Sequence, residues 1–136
     1  MQSLYPVLSV ESVADCQQFY VSLFGFETAF EIDWYVQLRS PRDENLQLAF
    51  VRSDHDSVPA NFRQKPRGVV VTVQVSAVDP LYAKVKDAGY RVVLELSDEE
   101  WGQRHFMTVD PAGLLVDVVQ MIPPTEAFLE ANNLAS

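Results

Sequence analysis

The sequence repeats its own pattern once, and that repeat restricts the fold more than any other feature. In each half, a short β-favouring run precedes an amphipathic helical stripe, a glycine stop and three further β-favouring runs. Val10 answers Val75 and Gly25 answers Gly89, an offset of about 64 or 65 residues with little identity between the halves.

In the first half, residues 4–10 read as a short strand. Ser12 opens a helix in which Val13, Cys16, Phe19 or Tyr20, and Leu23 recur at three- and four-residue spacing. Asp15, three residues after Ser12, allows a capping-box-like start, and Gly25 is a natural stop. Residues 26–32, 34–39 and 46–51 are strand candidates, the last two joined by a turn at 41–45. Tyr35, Gln37 and Arg39 share one face, with Val36 and Leu38 on the other. Leu46, Leu48 and Phe50 alternate with Gln47 and Ala49. Residues 52–68 are polar and carry two prolines, so they read as a linker.

The second half follows suit. Residues 69–75 predict a strand, and Val78, Leu81, Tyr82, Val85 and Ala88 a helix started at Asp79-Pro80 and stopped at Gly89. Strands at 91–96, 104–109 and 114–119 complete the module. The expected class is α+β: two βαβββ modules, about 4–51 and 68–121, each a curled antiparallel sheet backed by a helix, flanking a cleft within one domain, 4–121. Residues 122–136 add a helix, capped by Thr125 after Pro123-Pro124, and a tail.

Composition narrows the function. A formal charge of −9 over 136 residues argues against nucleic acid, whose phosphates need clustered Lys and Arg. No apolar run reaches the roughly 18 residues of a membrane span, and no secretory leader is evident. Cys16 is alone, so no internal disulfide forms, and it lies on the apolar stripe. The expected location is the cytoplasm, with no nucleic-acid or membrane partner.

The last hairpin carries the chemistry. Asp110-Pro111-Ala112-Gly113 is a turn signal between two β-favouring runs, and Asp117 lies inside the second, apolar one. A buried carboxylate costs several kcal/mol unless paired, so Asp117 requires a polar cavity or a partner. Arg104 is the candidate partner.

The pattern from Trp101-Gly102-Gln103-Arg104-His105-Phe106 through Asp110-Pro111-Ala112-Gly113 to Asp117 resembles the C-terminal hairpin of the vicinal-oxygen-chelate superfamily. That superfamily includes glyoxalase I, extradiol dioxygenases and bleomycin-resistance proteins. The likeness covers about 4–121. It implies that metal-dependent members carry four ligands, usually His, Gln or Glu, one on each of the first, fourth, fifth and eighth strands. The matching positions here are Tyr5, Gln47 or Ala49, Val70 and Asp117. Valine cannot bind a metal and a neutral phenol is a poor ligand, which leaves too few donors. His55 and His105 are isolated in the sequence and lie off those positions. The expectation is therefore no metal, no other cofactor and no assigned catalytic residue.

The look is closest to the bleomycin-resistance-like branch, which implies a dimer sequestering a small molecule. An acidic, ring-rich cleft suits an aromatic or cationic compound. Candidate ligand-binding residues are Trp34, Tyr35, Phe50, Trp101 and Phe106, with Gln37, Gln47, Arg104 and Asp117 as polar pins. A strand Phe is more often core than pocket lining. Trp101 stands apart, beside what reads as an acidic loop, Asp98-Glu99-Glu100. The alternative is a superfamily lyase, isomerase or dioxygenase with displaced or unusual active-site residues.

Overall fold

The computed structural model describes residues 1–135 and resolves the repeat into two compact units. One comprises Met1–Val69 with the Asp110–Leu114 turn, the other Val70–Val109 with Leu115–Ser136. The first holds β1 (Val7–Val10), α1 (Val13–Phe24), β2 (Glu27–Ile32), β3 (Tyr35–Arg39) and β4 (Gln47–Arg52). The second holds β5 (Val70–Gln74), α2 (Val78–Asp87), β6 (Val92–Glu99), β7 (Gln103–Val109), β8 (Leu115–Met121) and α3 (Glu126–Ala131).

Each unit is βαβββ, and its four-stranded sheet is mixed rather than wholly antiparallel. The orders are β1-β4-β3-β2 and β5-β8-β7-β6, with β1 parallel to β4 and β5 parallel to β8. Chain direction explains this. The helix reverses the first strand and the next three strands alternate, so the first and last strands run the same way and pair in parallel.

One face of each sheet is covered by its helix. α1 buries Val13, Cys16, Phe19, Tyr20 and Leu23 against Leu8, Val36, Leu38, Leu48 and Phe50. Each fully buried side chain of this size contributes about 1.5–3 kcal/mol. The Ser12 hydroxyl accepts the Asp15 N–H at 3.2 Å, and Gly25 closes the helix at φ 73°, a left-handed conformation that glycine adopts without penalty. α2 has no capping side chain at Ala77. The Gln120 side chain replaces it by accepting the Val78 N–H at 3.0 Å.

Asp110 is the other turn device. Only 4% exposed, its carboxylate accepts from the Tyr20 hydroxyl at 2.7 Å and from the N–H groups of Ala112 and Leu114 at 2.9 and 3.0 Å. Those bonds offset its burial. Burial and the neighbouring Asp110 push the Tyr20 phenol upward and the Cys16 thiol up to about 12. Cys16 is a core residue, inert as a nucleophile. Among the described residues no helix is long and apolar enough to cross a membrane.

Candidate functional site

Strand alternation decides what the uncovered face of each sheet presents. In the first unit the cross-strand register puts Val7 and Ser9 of β1, Ala49 and Val51 of β4, Tyr35 and Gln37 of β3, and Phe30 and Ile32 of β2 on that face. Residues 57–62 join this face to line a hollow of about 770 Å3, within the size range of small-molecule sites. Phe30, Trp34, Tyr35 and Phe62 supply its rings, and no charged side chain lines it.

The segment that reads as a linker is thus part of a wall. The His55 ring stacks flat on Trp34 at 3.6 Å and 3°. The Ser57 N–H donates to His55 Nδ1 at 3.1 Å, and Arg63 Nε donates to the Val58 carbonyl at 2.7 Å. Phe62 and His55 escape sequence reading because their roles depend on that stack. Phe30 alone left a signal, since it shares a parity with Ile32, on the edge strand paired with β3.

Beside the hollow the polar residues form a chain. The Tyr35 hydroxyl donates to Gln37 Oε1 at 3.0 Å, Gln37 Nε2 donates to Gln47 Oε1, and Gln47 Nε2 donates to the Glu44 carbonyl at 2.7 Å. Burial and the adjacent Tyr5 phenol push the Tyr35 phenol upward, so it keeps its proton. Ser9 Oγ is also buried here and finds no hydrogen-bond partner among the described residues.

The uncovered face of the second unit is charged instead. His105, 3% exposed, lies between two carboxylates, with Nδ1 2.8 Å from Asp117 and Nε2 3.1 Å from Glu99. Burial pulls the imidazole's pKa down, but the hydrogen bonds of Glu99 and Asp117 outweigh it and the net shift is upward. The isolated His105 of the sequence is therefore the partner of Asp117.

Arg104 is not that partner. Met107 stands opposite Asp117 and Gln120 opposite Arg104, which puts Arg104 and Asp117 on opposite faces. The guanidinium grips Asp79 of α2 through two bonds, 3.0 and 2.9 Å, and Asp98 through a third at 2.8 Å. These bonds push Arg104 further up and hold the Asp79 carboxyl below its usual range.

Two further expectations are corrected by burial. Phe50 and Phe106 are 0% exposed and face the helices. Phe50 stacks on Tyr20 at 5.5 Å, and Phe106 meets the Tyr82 ring at 5.3 Å. Both are core. The supposed acidic loop is also largely strand, because β6 runs to Glu99 and commits Asp98 to Arg104 and Glu99 to His105. Trp101 remains 46% exposed, its indole N–H donating to Gln103 at 2.9 Å and its ring edge-on to His105 at 6.3 Å.

The donor set does not fit a divalent metal. Of the four positions that the resemblance matches to ligands of metal-dependent members, Tyr5 offers only a phenol, Val70 offers no donor atom, Gln47 spends its amide on Gln37 and Glu44, and Asp117 is engaged by His105. Among the described residues no three His, Cys, Asp or Glu side chains are arranged to hold a metal ion.

Two mixed sheets, each backed by a helix and open on the other face, define the class. The chain belongs to the glyoxalase/bleomycin resistance protein/dioxygenase superfamily, whose family model matches residues 3–118. Solved structures share the fold at low identity. A possible glyoxalase from Bacillus cereus is 19% identical with a TM-score of 0.66, over 88% of this chain and 98% of that one. TnmS3, an antibiotic-binding protein from Streptomyces sp. CB03234, is 20% identical with a TM-score of 0.68, over 89% and 96%. A superfamily member from Sphaerobacter thermophilus is 20% identical with a TM-score of 0.70, over 88% and 97%. No curated protein matches the sequence.

Proposed function

We propose that this protein binds and sequesters a small aromatic compound, cationic ones included, without using a metal ion. The hollow in the first unit carries this reading: about 770 Å3, walled by Phe30, Trp34, Tyr35 and Phe62, with hydrogen-bonding groups beside it. Rings in that arrangement hold a planar ligand by stacking and attract a cation at their faces. Tyr35, held in place by Gln37 and through it Gln47, orients the ligand. Trp101, half-exposed on the second unit, is not part of this hollow's lining. Superfamily membership and a fold relative described as an antibiotic-binding protein are in keeping with this reading. A lyase, isomerase or dioxygenase reading draws less support, since the obvious base, Asp117, is occupied by His105.

The test is a titration with planar cationic dyes and bleomycin-type glycopeptides, followed by tryptophan fluorescence, with and without EDTA. Saturable binding that ignores EDTA is expected, and Trp34→Ala should weaken it roughly fivefold or more. Binding that EDTA abolishes and one divalent ion restores would overturn the metal-free reading.

A further inference from the structure

We infer that the ligand of the hollow presents a hydrogen-bond donor, because the hydroxyls available to it have already given their hydrogens away. This rests on the hollow being the binding site.

The direction of the chain beside the hollow follows from its anchor. A backbone carbonyl only accepts, so Gln47 must turn its Nε2 to Glu44, and the contact is 2.7 Å. Gln47 Oε1 then faces Gln37, which must supply Nε2. Gln37 Oε1 is left facing Tyr35 at 3.0 Å. Two oxygens bond only if one carries the hydrogen, so Tyr35 donates. With its hydrogen on Gln37, the phenol oxygen has only lone pairs left. The adjacent Tyr5 phenol, hydrogen-bonded to it, must be the donor there and so spends its own hydrogen on Tyr35.

An independent contact on the hollow's lining repeats the logic. The Ser57 main-chain N–H donates to His55 Nδ1 at 3.1 Å, so that nitrogen bears no proton. The Ser57 hydroxyl lies 2.9 Å from the same nitrogen and must be the donor. Ser57, like Tyr35, offers only lone pairs to a ligand. The third hydroxyl of the lining, Ser9, exposes less than 1 Å2 of its oxygen and does not reach the space.

The fitting compound is a planar aromatic bearing a phenol, an N–H or a protonated amine. An aromatic ether of the same shape, with lone pairs of its own, leaves two acceptors face to face and buried. A site built around one hydrogen-bonding sense rejects the opposite sense more strongly than it rewards the correct one.

Equilibrium dialysis of the intact protein against β-naphthol, β-methoxynaphthalene and β-methylnaphthalene tests this. Naphthol should bind about three- to tenfold tighter than either of the others. Gln37→Leu cuts the chain and frees the Tyr35 hydrogen, so the methoxy compound should gain on naphthol until the two are nearly equal, with methylnaphthalene unmoved. Tyr35→Phe should shrink the preference by the other route, through loss of naphthol affinity, and Tyr35→Phe with Ser57→Ala should erase it; both serve should Gln37→Leu fail to fold. Methoxynaphthalene binding the unaltered protein as tightly as naphthol would overturn the inference, as would a naphthol preference that survives Tyr35→Phe combined with Ser57→Ala. Failure of all three compounds to bind is a different result, and it overturns the hollow as the site.

Discussion

At the scale of single residues the decisive contact is Asp117 with His105. An imidazolium between two carboxylates makes a buried Asp117 tolerable, and each nitrogen is spent in doing so. The folded protein holds this proton more tightly than the unfolded chain, where the ordinary value is 6.5. The stabilisation is therefore full below about pH 6.5 and is lost as pH rises through the higher folded value. Denaturation midpoints measured from pH 5.5 to 9 should fall with pH in the wild type, and His105→Gln should flatten that fall. Asp117→Ala strips one side of the buried pair and should cost about 3 kcal/mol. A midpoint equal to wild type at pH 6 would show that the pair contributes nothing.

At the scale of elements, the Trp101-Gly102 pair has a packing reason. Gly102 adopts φ 103°, and a Cβ there would lie 2.8 Å from the Ile122 carbonyl and 3.2 Å from the Pro124 nitrogen. The Ile122 N–H donates to the Gly102 carbonyl at 2.9 Å, and the Thr125 N–H to the Glu100 carbonyl at 2.9 Å. The β6–β7 turn thus seats the start of the C-terminal segment, whose helix Thr125 caps through the Phe128 N–H at 3.1 Å. Gly102→Ala meets both backbone strain and a backbone clash. It should lower stability by about 1–3 kcal/mol and raise amide exchange in α3 first. An unchanged exchange rate there would separate the segment from the turn.

At the scale of the whole molecule, both sheets end in unpaired edges, and apolar side chains stay exposed on them. Outside the hollow, Val70 on β5 is 48% exposed and Val93 on β6 41%. Open edges and apolar faces of this kind are covered in natural proteins, and a second copy of the chain is the expected cover. Sedimentation equilibrium at micromolar concentration should give twice the 15.4 kDa chain mass. A single species at 15.4 kDa would remove the dimer. The hollow's lining is uncharged, so the formal charge of −9 reaches it as a longer-range field that salt screens beyond about 8–10 Å.

The order of elements, the helix start at Ser12, the stop at Gly25 and the buried stripes were readable from spacing, because periods of 3.6 and 2 report which side of an element meets the core. The opposite faces of Arg104 and Asp117 were readable as well: once the 110–114 turn sets the hairpin register, alternation keeps them apart. Partners across the fold were not readable. Tyr20 finds Asp110 from 90 residues away, Gln120 caps a helix 42 residues upstream, and His55 stacks on Trp34 to bring 57–62 over the sheet. A polar side chain has many chemically equal partners along a chain, and only the packing of elements brings one of them within 3 Å. The hollow and the direction of its hydrogen bonds belong to that second kind, since both arise where separate strands and a loop meet.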